Sequence, residues 1–182
     1  QKAYGENVIS VYGTDDKGVE KLITKEDETV TGFKVEAQHG NATVNEYYKV
    51  KYTVDESEIL HYLITSTGNG GYQDGTVTCR VAIAITNGKP TTIYNATIIG
   101  NVGQSYINDI KHMGNYSGKD ITGDGFAFEP SGDFLSSGAT KSSTAIANAV
   151  NGAITYVKTL TFEAPETNPD GDGGDNGEGG NS

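Results

Sequence analysis

Thr76-Val-Thr-Cys-Arg-Val-Ala-Ile-Ala-Ile-Thr86, then Asn87-Gly88-Lys89-Pro90, then Thr91-Thr-Ile-Tyr-Asn-Ala-Thr-Ile-Ile99 is the stretch on which the fold turns. Two runs rich in β-branched residues flank an Asn-Gly pair, which readily takes the positive φ angles of a two-residue hairpin turn. The stretch therefore reads as a hairpin with long arms. Upstream, 59–65, 47–54 and 30–37 have the same texture of Val, Ile, Thr and Tyr, bounded by Gly, Asn or Asp. The polar connection Asp55-Glu56-Ser57-Glu58 makes a second hairpin of two of them. Five strands in succession predict an antiparallel meander. Before residue 30, Val8, Ile9, Val11, Val19, Leu22 and Ile23 are interrupted by the turn Gly13-Thr-Asp-Asp-Lys-Gly18 and do not fix an element type.

Downstream of the hairpin the period changes. Ile146, Ala149, Val150, Ala153 and Val157 recur at three- and four-residue steps, which predicts a helix over 142–158 with one apolar stripe for a sheet. Thr140, Ser142 or Ser143 could cap it. Gly152 weakens its middle by about 1 kcal/mol relative to alanine. The fold class is then α+β: one largely antiparallel twisted sheet with a C-terminal helix packed on one face. The expected organisation is an accessory β-rich segment over 1–45, a main domain over 46–164 and a tail over 165–182.

The tail, PETNPDGDGGDNGEGGNS, contains no residue able to fill a core. At 35% hydrophobic content, low for 182 residues, part of the chain must stay unpacked, and this acidic, glycine-rich end is expected to be disordered or a linker. Its aspartates do not follow the calcium-loop spacing of an EF-hand. A net charge of −11 argues against nucleic acid and against docking on anionic lipid, both of which attract basic surfaces. The single cysteine, Cys79, lies inside a predicted strand as a small buried hydrophobe, and no internal disulfide can form. Asn41-Ala-Thr, Asn95-Ala-Thr and Asn115-Tyr-Ser match the glycosylation pattern, which chance supplies readily in a chain rich in Asn and Thr. No zinc motif, P-loop, nucleophile elbow or histidine-based triad is visible.

The stretch that carries chemistry is Asp133-Phe-Leu-Ser-Ser137-Gly138-Ala139-Thr140-Lys141, because it sets hydroxyls beside a helix start. The first turn of a helix offers free backbone N–H groups and the positive end of the dipole, so an anionic phosphate is favoured there without a cluster of arginines. Ordinary helix capping is the competing account of the same residues. Ser137-Gly138-Ala139-Thr140 also resembles the SGAT signature of the FMN-binding domain family, whose members in Rnf and Nqr redox complexes carry FMN esterified through its phosphate to the signature threonine. The resemblance extends through Gly68-Asn-Gly-Gly-Tyr72-Gln-Asp-Gly75, a glycine-rich turn before a valine-rich strand, and through Gly103-Gln-Ser-Tyr-Ile-Asn-Asp-Ile-Lys-His-Met-Gly114 to Asn115-Tyr116-Ser-Gly-Lys119.

By that resemblance, residues 46–164 are an FMN-binding domain, with Thr140 the ester oxygen. Gly138 and Ala139 admit the phosphate to the backbone, Ser137 belongs to the same turn, and Lys141 offsets the remaining charge. Tyr72 and Tyr116 are the candidates for contact with the flavin ring. Asp133 is the aspartate read by the flavin transferase that matures such proteins. Two departures stand out: Asn101-Val102-Gly103-Gln104 lacks the glutamate and proline of relatives, and Ser136 adds one residue between Asp133 and the signature. The extra residue is either a tolerated bulge with covalent flavin or the mark of a pocket holding flavin without the ester.

The implied function is that of an extracytoplasmic flavoprotein electron carrier, with redox proteins or a membrane electron-transfer complex as partners. The chain starts at Gln1 and has no apolar run of membrane-spanning length, so an anchor in an N-terminal segment now absent is expected. The alternative is a non-catalytic extracytoplasmic binding or adhesion module in which SGAT only caps a helix. Tyr106, Ile107, Ile110 and Met113 form a short helical stripe, and His112 reads as an exposed helix residue rather than a metal ligand.

Overall fold

The computed structural model describes residues 9–23 and 29–162. Its strands are β1 (Ile9–Thr14), β2 (Glu20–Leu22), β3 (Phe33–His39), β4 (Ala42–Val54), β5 (Ser57–Gly68), β6 (Thr76–Thr86) and β7 (Lys89–Val102), followed by one helix, α1 (Thr140–Thr159). All seven strands join one antiparallel sheet in the order β2-β1-β4-β5-β6-β7, with β3 on the same edge of β4 as β1. The 13 residues of β4 are long enough to serve both neighbours, β1 along Lys49–Tyr52 and β3 along Ala42–Tyr47. The α+β expectation therefore holds.

Both expected hairpins are present, and each turn is two residues long. Asn87 and Gly88 have φ of 55° and 77°, and Asp55 and Glu56 have 50° and 68°, the left-handed pairs that match the right-handed twist of the arms. The register then closes at Thr86↔Lys89 and Val54↔Ser57, so the second connection is shorter than the four polar residues that suggested it. β4 begins at Ala42 and runs through the expected boundary at residue 45, and β1, β2 and β3 are bonded into the main sheet. The expected tail over 165–182 lies outside the described residues.

Alternation along the strands sends Val77, Cys79, Val81 and Ile83 of β6 and Ile64 of β5 to the face that receives Ala145, Ile146, Ala149, Val150, Ala153, Ile154 and Val157 of α1. Cys79 is buried as expected, and burial pushes its thiol up to about 12. Gly152 has a positive role. A Cβ there would lie 2.6 Å from Cβ of Ala42 and 3.1 Å from Oγ of Ser66, so its absence lets the helix settle on β4 and β5. At Gly68, a Cβ would overlap the helix backbone at Ala145 and Ala149. Helix and sheet meet backbone to backbone.

Candidate functional site

The segment from Val102 to Thr140 returns along the β7 edge, where the Ile93 N–H donates to the Lys119 carbonyl at 3.0 Å and the Ile121 N–H to the Thr91 carbonyl at 2.9 Å, and delivers the site. It contains short 3₁₀ turns at Ile107–Asp109, Met113–Tyr116, Gly132–Phe134 and Ser137–Ala139 instead of the single short helix expected over 106–113. Ile107, Ile110 and Met113 still pack on the core, whereas Tyr106 stands 58% exposed. Consecutive 3₁₀ turns rotate successive side chains off one stripe, so the period that suggested a helix is interrupted.

Ser136, the extra residue before the signature, is a staple. Its hydroxyl accepts the Lys111 N–H at 3.0 Å and lies 2.7 Å from Nδ1 of His112, while its own N–H donates to Oγ of Ser143 at 3.0 Å. Ser143 in turn donates to the Ala139 carbonyl at 2.9 Å. His112 is consequently buried, contrary to the exposed position expected for it, and burial lowers its imidazole pKa. The insertion is absorbed inward.

None of the expected hydroxyls caps α1. The residue at the cap position is Ala139, which has no side-chain oxygen to offer. Ser143 bonds backwards along the chain, and Ser142 donates instead to Oε1 of Gln104 at 2.6 Å. Thr144 donates to the Thr140 carbonyl at 3.2 Å. Thr140 itself is exposed, and among the described residues no hydrogen bond engages its hydroxyl. A 20-residue helix thus starts with its leading amides uncapped by any side chain, beside a free hydroxyl and the exposed Lys141.

This start opens into a cleft of about 210 Å³ lined by Tyr72, Ser105, Tyr106, Ser137, Gly138, Ala139, Thr140, Lys141 and Ser142. Six of the eight residues singled out from the sequence meet here: Tyr72, Ser137, Gly138, Ala139, Thr140 and Lys141. Asp133 does not. It lines a separate recess of about 440 Å³ with Lys119, Phe126, Phe128, Glu129 and Phe134, and its carbonyl is held by Asn115 Nδ2 at 2.8 Å.

Tyr116 lies further still from the place expected for it. It is completely buried, its ring 4.9 Å from Phe128 and 4.7 Å from Phe134, and burial raises its phenol pKa. It is a core residue, because three aromatic side chains of one segment bury more surface by packing on each other than by facing solvent.

Four contributors to the cleft escaped sequence reasoning. Tyr106 and Ser105 complete its wall, Gln104 is buried behind it, and the Asp109 carboxylate lies close enough to Gly138 that a Cβ there would sit 3.3 Å from it. Tyr106 is legible as an aromatic, but its spacing groups it with the apolar stripe of Ile107, Ile110 and Met113. Gln104 gave no signal, since an isolated glutamine has none. Among the described residues no group of three or more His, Cys, Asp or Glu could hold a metal ion, and no helix is long and apolar enough to cross a membrane. No family model, no curated protein and no solved structure matches the chain.

Proposed function

We propose that this chain is an extracytoplasmic flavoprotein electron carrier that holds FMN by a phosphoester to Thr140. The observation carrying the reading is the free, exposed Thr140 hydroxyl on the uncapped first turn of α1, beside a cleft rimmed by two exposed tyrosines. These residues fit the phosphate end of the cofactor: the leading amides favour the ester's remaining negative charge, Lys141 adds to them against the opposing Asp109 carboxylate beside Gly138, and Gly138 and Ala139 bring little side-chain bulk of their own. Tyr72 and Tyr106 offer flat faces to the ring. FMN supplies one- or two-electron transfer, so the chain needs no acid, base or nucleophile for turnover.

A cleft of about 210 Å³ is below the roughly 300–1,000 Å³ of pockets that enclose a drug-sized ligand. In this reading the covalent bond takes the place of enclosure, and the ring lies against the surface, accessible to redox proteins or a membrane electron-transfer complex. A flavin transferase installs it. The same small volume favours a second reading, a binding or adhesion module in which the signature merely begins a helix.

Intact mass separates the two. The full chain, coexpressed with a flavin transferase, should gain one FMN less one water and turn yellow. Thr140→Ala should abolish the gain, and Thr144→Ala, whose hydroxyl is already committed to the Thr140 carbonyl, should not. An unchanged wild-type mass without colour favours the module.

A further inference from the structure

Gln104 is 4% exposed, and both ends of its amide are in use. Oε1 accepts the Tyr72 N–H at 2.9 Å and the Ser142 hydroxyl at 2.6 Å. Nε2 donates to the carbonyls of Val102 at 2.9 Å and Tyr72 at 3.2 Å. One side chain therefore grips both polar groups of the Tyr72 backbone and ties them to the first turn of α1. The loop is shaped for this grip. A Cβ at Gly71 would fall 2.7 Å from Oε1, and one at Gly75 would overlap Nε2 and the Val102 carbonyl. Gln73 and Asp74 are held at φ of 53° and 62°, a left-handed conformation unfavourable for residues with side chains, which the loop keeps only while something fixes it.

We propose that Gln104 is a positioning residue for the cleft: it clamps the Tyr72 loop to the leading turn of α1 and so sets the tyrosine face on which the flavin ring rests. This rests on the function proposed above. Only a neutral amide satisfies the clamp, because two donors must meet one end and two carbonyls the other. A carboxylate in its place would aim an oxygen at both carbonyls, whereas a protonated carboxyl would restore both acceptor contacts and donate one of the two hydrogen bonds. The clamp in Gln104→Glu should accordingly open at neutral pH and close again in acid.

The test uses the flavinylated full chain, with Gln104→Glu, Tyr72→Ala and the double variant, followed by flavin fluorescence between pH 8 and pH 5. A tyrosine stacked on the ring quenches its emission. Gln104→Glu should raise the emission several-fold at pH 8 and fall back toward wild type in acid. Tyr72→Ala should raise it at every pH, and the double variant should show no pH dependence beyond that of Tyr72→Ala. Rescue by protonation distinguishes positioning from a fold simply lost.

Emission from Gln104→Glu equal to wild type at every pH, with FMN attached, overturns the inference and leaves the proposed function standing. A wild-type chain that takes no FMN overturns the proposed function instead. The clamp is then judged by hydrogen exchange of the Tyr72 amide, corrected for intrinsic rate, which Gln104→Glu should accelerate by about 10-fold at pH 8 for the loss of roughly one hydrogen bond. Unchanged exchange removes the clamp as well.

Discussion

Two recesses flank Ser136, and they differ in kind. The larger, about 440 Å³, has a floor of Phe126, Phe128 and Phe134 and a rim of Asp120, Glu129 and Asp133, with the Lys119 ammonium 5.9 Å from the Phe134 ring centre. The smaller, about 210 Å³, has an uncapped helix start, a free hydroxyl and two exposed tyrosines. Size alone would choose the first. For the proposed phosphate the second is the better seat: its unsatisfied N–H groups and Lys141 face one nearby carboxylate, Asp109, whereas three carboxylates and a single lysine, Lys119, line the first. The comparison also explains why Asp133 parts company with the signature it precedes. Ser136 turns inward between them and leaves each on its own side of a buried hydrogen-bonded staple.

The sharpest way to break the contrast is to ask which recess the ring touches. In flavinylated protein, Tyr72→Ala or Tyr106→Ala should raise flavin emission several-fold, and Phe134→Ala should leave it unchanged. The reverse pattern in steady-state fluorescence would move the ring into the larger recess. Next in size is the boundary itself. Ser136→Ala strands the Lys111 N–H and the His112 imidazole in a buried place, and unfolding by urea should show a loss of about 1–3 kcal/mol.

The smallest effect is a pH dependence. Burial holds the His112 imidazole below its ordinary 6.5, so the unfolded chain takes up the proton first. The stability involved is complete above pH 6.5 and is lost as pH falls through the lowered value. The urea midpoint should start to drop as the pH falls below 6.5, and His112→Gln should remove its share. His61, which burial pushes down to about 4, supplies a separate loss between 6.5 and about 4 that this variant leaves in place.

What the sequence disclosed follows the reach of each interaction. The Asn87-Gly88 turn, the strand texture on either side and the three- and four-residue stripe of α1 depend on near neighbours, and each is where local reading places it. The SGAT turn was legible for the same reason. Gln104 was not, since its partners Tyr72 and Ser142 lie 32 and 38 residues away and meet only once β5, β6 and β7 have paired. Tyr116 misled because an aromatic near glycines looks the same in one dimension whether it faces solvent or the core. Ser136 reads as an excess residue, and only the fold reveals its partners Lys111, His112 and Ser143.

Gly68 and Gly152 have a consequence for how Thr140 is addressed. Because the helix rests on the strands where side chains are missing, it is keyed to one seat: sliding by a residue would press a side chain against the Ala42 methyl and the Ser66 hydroxyl in the place Gly152 leaves open. The hydroxyl at its head is thus held in a fixed relation to the sheet, so that under the proposed function a maturation enzyme and a later redox partner would meet it in one geometry.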